Sequence, residues 1–352
     1  MATMIPDMST LVDGRPSPST EPLLAVRDLT VEFPSGHGTW TTAVEQVSFS
    51  VAPGESVALV GESGSGKTVT SLAVMGLTGK TGGRVAGGSI SFEGRDLTQL
   101  PDREWRQLRG AGMGMIFQQP IRSLNPAYTV GDQIAESIRR HLGMSRKASL
   151  ARAIEMLDMV QIPRAAERVR EYPHAFSGGM CQRVMIAMVM ACNPRLLIAD
   201  EPTTALDVTV QETILELLRD LQEQTGVSLL FVSHDLAVVA ELCQRVVVMY
   251  AGEVAEDSAI SDIFYNPSHP YTAGLLDAIP RAGRETGRRL IAIPGSIPPA
   301  GEWPDGCRFH ARCNFAKSGL CDLRHPQMLE VSSSSRARCH LAHELDLAKE
   351  VR

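Results

Sequence analysis

No apolar run in the chain approaches the ~20 residues that a membrane-spanning helix needs. The first 22 residues also lack the apolar core of a signal peptide and carry Pro6, Asp7, Asp13, Arg15, Pro16 and Pro18 instead. They are predicted to form a disordered leader. The protein is expected in the cytosol, with any link to a membrane made through a partner. Positive charge is not in excess either, because 34 Lys and Arg face 40 Asp and Glu for a net charge of −6. That balance argues against a broad basic face for non-specific nucleic-acid binding. Internal repeats, heptad arrays and long low-complexity tracts are absent. So are tight C-x2–4-C pairs, which weighs against a structural zinc site. What is present is ordinary: 43% apolar and 21% charged residues over 352 positions, enough for two or three lobes with a sizeable core in the largest.

Against that background one segment stands out. Residues 61–68 read Gly-Glu-Ser-Gly-Ser-Gly-Lys-Thr, after the β-branched run Ser56 to Val60 and before the helix-like Ser71 to Met75. Gly61, Gly64 and Gly66 let the backbone curl so that successive N–H groups face inward, as phosphate oxygens require. Ser63, Gly64, Ser65 and Gly66 line that curl, Lys67 reaches the β- and γ-phosphates, and Thr68 offers a hydroxyl to Mg²⁺. The Val69 N–H lies at the helix N-terminus, where anions are favoured. The pattern predicts binding of a nucleoside triphosphate.

Short strands are expected at Leu24 to Val26, Leu29 to Phe33 and Ala43 to Val51, then at Gly87 to Gly94 and Met113 to Phe117. From about 127 to 192 the periodicity turns helical, as in Val130 to His141 and Ala148 to Val160. Strand–helix alternation returns with Arg195 to Ala199, Val208 to Gln222, Ser228 to Val232, Leu236 to Leu242 and Arg245 to Tyr250. This order predicts an α/β fold, a parallel core sheet covered by helices on both faces and interrupted by a helical lobe. Proline and glycine rise from Asn266 onward, marking a separate loop-rich region in which Ser332 to Ser335 reads as a short polar linker.

The apolar strand Leu196 to Ala199 ends in Asp200-Glu201-Pro202. A carboxylate at the C-terminal end of such a strand can hold Mg²⁺, and Glu201 is placed to orient and deprotonate an attacking water. Ser177-Gly178-Gly179 opens a helix with a hydroxyl and exposed backbone donors, a second anion trap, although alone it reads as an ordinary Ser N-cap.

Together these stretches resemble the ATP-binding cassette (ABC) ATPase family over residues 24–257. Gly61 to Thr68 matches its Walker A loop, Leu196 to Glu201 its Walker B strand, and Ser177-Gly178-Gly179 its signature motif. Phe117 to Pro120 resembles the Q-loop, Ala205-Leu206-Asp207 the D-loop, and Val232 to Asp235 the switch histidine. The resemblance implies a P-loop NTPase cassette with a mixed sheet core, an antiparallel β subdomain and an inserted helical subdomain at about 120–192, the whole spanning 23–265. It implies that Phe33 stacks on adenine, with Trp40 the weaker candidate. Gln118, with Thr68 and Asp200, would attend Mg²⁺, and His234 would contact the γ-phosphate. Two cassettes would clamp ATP head to tail, so that Ser177, Gly178 and Gly179 serve the partner's nucleotide and Asp207 lies at the seam. Phe176, Met180 and Cys181 depart from the commoner signature residues but leave its donors intact.

The tail narrows the resemblance. Asn266 to Thr272, Ile293-Pro294-Gly295, Gly306 to Phe309 with Arg312-Cys313, and Ser123 to Pro126 resemble oligopeptide/dipeptide importer ATPases, a subfamily that includes some metal-complex importers. The implied assembly has a second ATPase subunit, two permease subunits and an external solute-binding protein, with this chain peripheral on the cytoplasmic face of the membrane. Cys307, Cys313, Cys321 and Cys339 of the 266–352 region follow C-x5-C-x7-C-x17-C. Four spread thiolates suit a larger ligand than zinc, and the resemblance points to a [4Fe–4S] cluster; unligated reduced cysteines are the alternative. His310 and His340 read as neighbours rather than ligands. A soluble nucleic-acid mechanoenzyme would call for coiled coils, a tandem cassette or a basic surface. A P-loop kinase would leave Ser177 to Gly179 and Asp207 idle, and an exporter commonly carries fused membrane helices.

Overall fold

The computed structural model describes residues 21–36, 38–204, 206–279 and 293–348. The expected leader falls almost wholly outside them, as does Ala205. The described chain forms two compact units. One takes in the chain up to Ala52, Ser56–Thr98 and everything from Ser233; the other is Pro53–Glu55 with Gln99–Val232.

The first unit opens with β1 (Leu24–Pro34), β2 (Trp40–Val51), β3 (Ser56–Val60), α1 (Lys67–Val74), β4 (Arg84–Phe92) and β5 (Arg95–Asp96). Strands β2-β1-β4-β5 make an antiparallel sheet. The two expected strands at its start are one. Asp28 sits at φ 48° and the register slips between Val26 and Leu29, so the apolar alternation skips without the strand ending. Helix α1 begins four positions before the apolar stretch read from sequence, because its first turn is polar and carries the loop's own Lys67 and Thr68.

The second unit holds α2 (Asp102–Ala111), β6 (Met113–Ile116), α3 (Pro120–Ser123), α4 (Val130–Leu142), α5 (Arg146–Met159), α6 (Ala165–Arg168), α7 (Gly178–Met190), β7 (Leu196–Asp200), α8 (Val208–Thr225) and β8 (Ser228–Ser233). Strands β6, β7 and β8 pair in parallel and are buried along their length, which is why they read as continuous apolar runs. Helix starts follow local chemistry. Thr129, Ser145, Ser177 and Asp207 each accept a backbone N–H from the first turn of α4, α5, α7 and α8, and Gly143 and Gly226 close α4 and α8 in the left-handed conformation.

The first unit resumes with α9 (Leu236–Leu242), β9 (Arg245–Tyr250), β10 (Glu253–Ala259), α10 (Ile260–Tyr265), α11 (Pro270–Asp277), β11 (Leu329–Ser332) and β12 (Ser335–Ala337). Here β3 pairs in parallel with β9, while β9, β10, β12 and β11 continue antiparallel, so the sheet is mixed. Strand β10, Glu-Val-Ala-Glu-Asp-Ser-Ala, carries no sequence signal for burial, yet all but its last residue is buried. Its charges are matched from β9 and from the tail. Asp257 meets Arg245 at 2.9 Å and Arg336 at 2.5 Å; Glu253 meets His325 at 2.8 Å, with Arg308 and Arg338 each at 3.6 Å. Glu256 accepts N–H groups from Ser268 and His269, both at 2.9 Å, while burial pushes its carboxyl up to about 7. The Ser332 to Ser335 stretch is therefore a hairpin turn and not a linker. Ser335 is buried and bonded to Ser258 at 2.7 Å and Ser268 at 2.9 Å.

Candidate functional site

Strand β3 delivers the chain into the loop at 61–66 through five fully covered residues. Gly61 has no room for a side chain, since a Cβ there would come within 2.2 Å of the Met249 carbonyl. Gly66 is left-handed at φ 103° and would meet Val44 at 2.9 Å. Gly64, at φ 86°, faces open space, so only its conformation is demanding. Lys67 is buried and folds back along the loop, donating from Nζ to the carbonyls of Gly61 at 2.7 Å and Glu62 at 3.0 Å. No side chain caps α1, and the Ser65 hydroxyl is buried without a hydrogen-bond partner. Ser63, Gly64 and Thr68 are exposed and Val69 half-buried. The loop thus holds a buried cation, uncapped helix amides and an unanswered hydroxyl, a donor set that fits a phosphate group.

Phe33 is half-buried on β1 and packs where a Cβ on Gly83 would come within 2.8 Å of its ring. Trp40 is more open, with the Arg84 guanidinium 4.1 Å above its ring. His234 is exposed in the turn before α9, where Ser233 Oγ accepts the Asp235 N–H at 3.0 Å and Asp235 caps the helix through the Ala237 N–H at 2.8 Å.

In the second unit Asp200 is buried at the end of β7, and Glu201 follows in a left-handed conformation at φ 47°. For a residue with a Cβ that conformation is strained and costs about 1–3 kcal/mol. The Glu201 N–H donates to the Val232 carbonyl at 3.0 Å, which holds the turn. Its carboxylate accepts from Gln118 Nε2 at 3.0 Å and Thr204 Oγ1 at 2.9 Å. Two sequence candidates 83 positions apart therefore meet directly, and Thr204 is a third member that sequence reading missed. Ser177 caps α7 by accepting the Met180 N–H, and Gly179 lies so close to Val210 of α8 that a Cβ would come within 2.6 Å. Asp207 caps α8 through Val210 N–H at 3.0 Å. Cys181 points inward to the Pro173 carbonyl at 3.6 Å, and burial pushes its thiol up, so the unusual residue in the signature stretch is a packing residue.

All four tail cysteines line one cavity with His310 and His340 at its wall, and all are free. Backbone N–H groups approach the sulfurs: Lys317 donates to Cys321 and Leu341 to Cys339, each at 3.4 Å. Burial raises the thiols of Cys307, to about 12, and Cys339, to about 11, and amide N–H groups two residues on partly offset this. Among the described residues no group of three or more His, Cys, Asp or Glu side chains is arranged to hold a metal ion as it stands. The cluster expectation therefore has a shared four-thiol cavity behind it and no ready-made ligand geometry.

A mixed sheet with a glycine loop feeding a helix, an antiparallel sheet beside it and a helical stretch before an Asp-Glu strand define a P-loop nucleotide-binding cassette. Residues 44–204 match the family model for the ABC transporter and residues 255–321 that for the oligopeptide/dipeptide transporter, C-terminal region. The chain is 48% identical over 331 residues to a provisionally named peptide import ATP-binding protein of Brucella melitensis, covering 91% of this chain and 97% of that one. It is 49% identical over 302 residues to the oligopeptide transport ATP-binding protein AppD of Bacillus subtilis, covering 86% and 92%. Among solved structures, the ATP-binding cassette MJ0796, a dimer in a post-hydrolysis state bound to ADP and phosphate, superposes with a TM-score of 0.60 at 29% identity, covering 67% of this chain and 98% of that one. The chain belongs to the ABC transporter ATP-binding family and carries the oligopeptide/dipeptide type of C-terminal region.

Proposed function

We propose that this chain binds and hydrolyses ATP to drive a di- or oligopeptide importer, as one of two ATPase subunits arranged head to tail. Two transmembrane permease subunits and an extracytoplasmic solute-binding protein complete the assembly, and the chain works from the cytoplasmic face of the membrane. Among the described residues no helix is long and apolar enough to cross a membrane, in keeping with peripheral attachment. The observation that carries the reading is the loop at 61–68, with Lys67 buried against it and the Ser65 hydroxyl unanswered. Relatives named for peptide transport, aligned over most of the chain, supply the substrate class.

In this reading residues 23–265 form the nucleotide-binding domain. Phe33 stacks on adenine, the amides from Ser63 to Val69 surround the phosphates, and Lys67 neutralises the β- and γ-oxygens. Thr68, Gln118 and Asp200 offer the hard oxygen donors that Mg²⁺ prefers. That ion supplies charge neutralisation on the phosphate oxygens. Glu201 takes the proton of the attacking water, Gln118 and Thr204 fix its carboxylate, and His234 holds the γ-phosphate. Ser177, Gly178 and Gly179 serve the partner's nucleotide, with Asp207 at the seam. The complex purified from membranes is expected to hydrolyse ATP faster when its solute-binding protein is loaded with peptide. Hydrolysis indifferent to every peptide tested, or raised instead by metal complexes, removes the substrate assignment.

For the tail, the proposal is that Cys307, Cys313, Cys321 and Cys339 hold a [4Fe–4S] cluster that braces residues 266–352. The shared cavity and the N–H groups aimed at the sulfurs support that donor set. Anaerobically purified protein is expected to absorb broadly in the blue and to carry about four irons per chain. A colourless, iron-free preparation overturns this.

A further inference from the structure

Glu62 puts a carboxylate in the second position of a loop built to gather an anion. Left alone, that charge would repel a triphosphate at close range, where the surrounding protein screens poorly. The C-terminal region supplies the answer. Arg312 grips the carboxylate with both ends of its fork, Nη1 to Oε2 at 3.1 Å and Nη2 to Oε1 at 3.2 Å, across 250 positions of sequence. Its remaining donors are also engaged: Nε on the Pro294 carbonyl at 2.7 Å, Nη2 on the Ile293 carbonyl at 3.4 Å and Nη1 on Tyr250 Oη at 3.4 Å. The guanidinium is thereby held in one orientation, and Arg312 as a residue is 9% exposed.

The backbone of Glu62 is held as well. Its N–H donates to Tyr271 Oη at 2.9 Å, and its carbonyl accepts from Lys67 Nζ at 3.0 Å and the Ser65 N–H at 3.2 Å. Tyr271 is fully buried and packs edge-on against Tyr250, ring centres 4.7 Å apart. Phe309 lies against both, at 5.2 Å from Tyr250 and 5.4 Å from Tyr271. Every polar group of this loop residue thus has a fixed partner, and two of those partners come from beyond the nucleotide-binding stretch.

The geometry points to Arg312 and Tyr271 as positioning residues for nucleotide binding. Arg312 cancels the Glu62 charge and Tyr271 fixes the curvature of the loop, so the tail braces the cradle from behind. The inference rests on residues 61–68 being the nucleotide loop, and the wild-type complex tests that separately: if it neither binds nor hydrolyses ATP, the functional reading fails first.

The experiment compares Arg312→Met, Glu62→Gln, the double variant and Tyr271→Phe in the full complex, reading KM for ATP, kcat, and Kd for a fluorescent ATP analogue. Arg312→Met exposes an uncompensated carboxylate and should raise KM and Kd roughly tenfold with kcat within about twofold. Glu62→Gln leaves the Arg312 guanidinium without its carboxylate, so it enters the comparison only as the partner of Arg312→Met. Added to Arg312→Met, it should restore most of the lost affinity, and the rise in KM at nearly constant kcat separates a charge effect on the nucleotide from a general loss of structure. Tyr271→Phe keeps the ring packing but drops the acceptor and should raise KM a few-fold. If Arg312→Met fails to fold, Tyr271→Phe and the double variant carry the test. Unchanged nucleotide affinity in Arg312→Met and Tyr271→Phe, or a double variant that binds nucleotide as weakly as Arg312→Met, overturns the assignment.

Discussion

Glu201→Gln should bind MgATP as the parent chain does and turn it over roughly 10²–10⁴-fold more slowly, the range for loss of a general base. That is about 2.7–5.5 kcal/mol on the barrier. The substitution suits the question because it changes little else. Glutamine keeps the length of the side chain and one carbonyl oxygen, and because Gln118 and Thr204 both donate to the same oxygen, Oε2, both bonds can survive, as does the backbone bond to Val232. The left-handed turn at Glu201 is a backbone feature and is equally accessible to glutamine. A fall in kcat with nucleotide affinity intact would therefore report the missing proton acceptor. Single-turnover hydrolysis and analogue binding in the assembled complex separate the two quantities, and unchanged turnover refutes the base assignment.

Lys67→Ala should lose nucleotide binding altogether, or retain it at least ~100-fold weaker. The buried ammonium makes two hydrogen bonds to the carbonyls of Gly61 and Glu62. Each such charge-assisted bond is worth about 1.5–3 kcal/mol, and the phosphates lose a cation too. Alanine strips the loop of its internal staple and, in the proposed reading, of the cation for the β- and γ-oxygens in one step. Fluorescent-analogue titration of the full chain measures the loss directly. Affinity within threefold of wild type would mean that phosphate is not bound at this loop.

The two variants probe parts that were legible to different degrees. The glycine loop could be read from residues alone because its chemistry is local: eight consecutive positions carry the curl, the cation and the hydroxyl. The Asp-Glu pair was legible for the same reason, as an apolar strand running into two acids. Sequence offers Gln118 and Glu201 as two separate candidates but not the bond between them, and it carries no sign of Thr204. Strand β10 is hidden from sequence for a complementary reason. Burying Glu253, Glu256 and Asp257 is favourable only where arginines and amides from distant segments answer them.

By itself the amino-acid order determined the nucleotide chemistry, the alternation of strands and helices and the four-cysteine tail, all of which depend on neighbours within a turn or a strand. Tertiary structure alone decided that the tail folds back onto the phosphate loop, that Arg312 neutralises Glu62 and that four thiols scattered over 33 positions share one cavity. Such pairings join segments far apart in the chain, and no periodicity encodes them. They are selected by the cost of leaving a buried charge or donor without a partner.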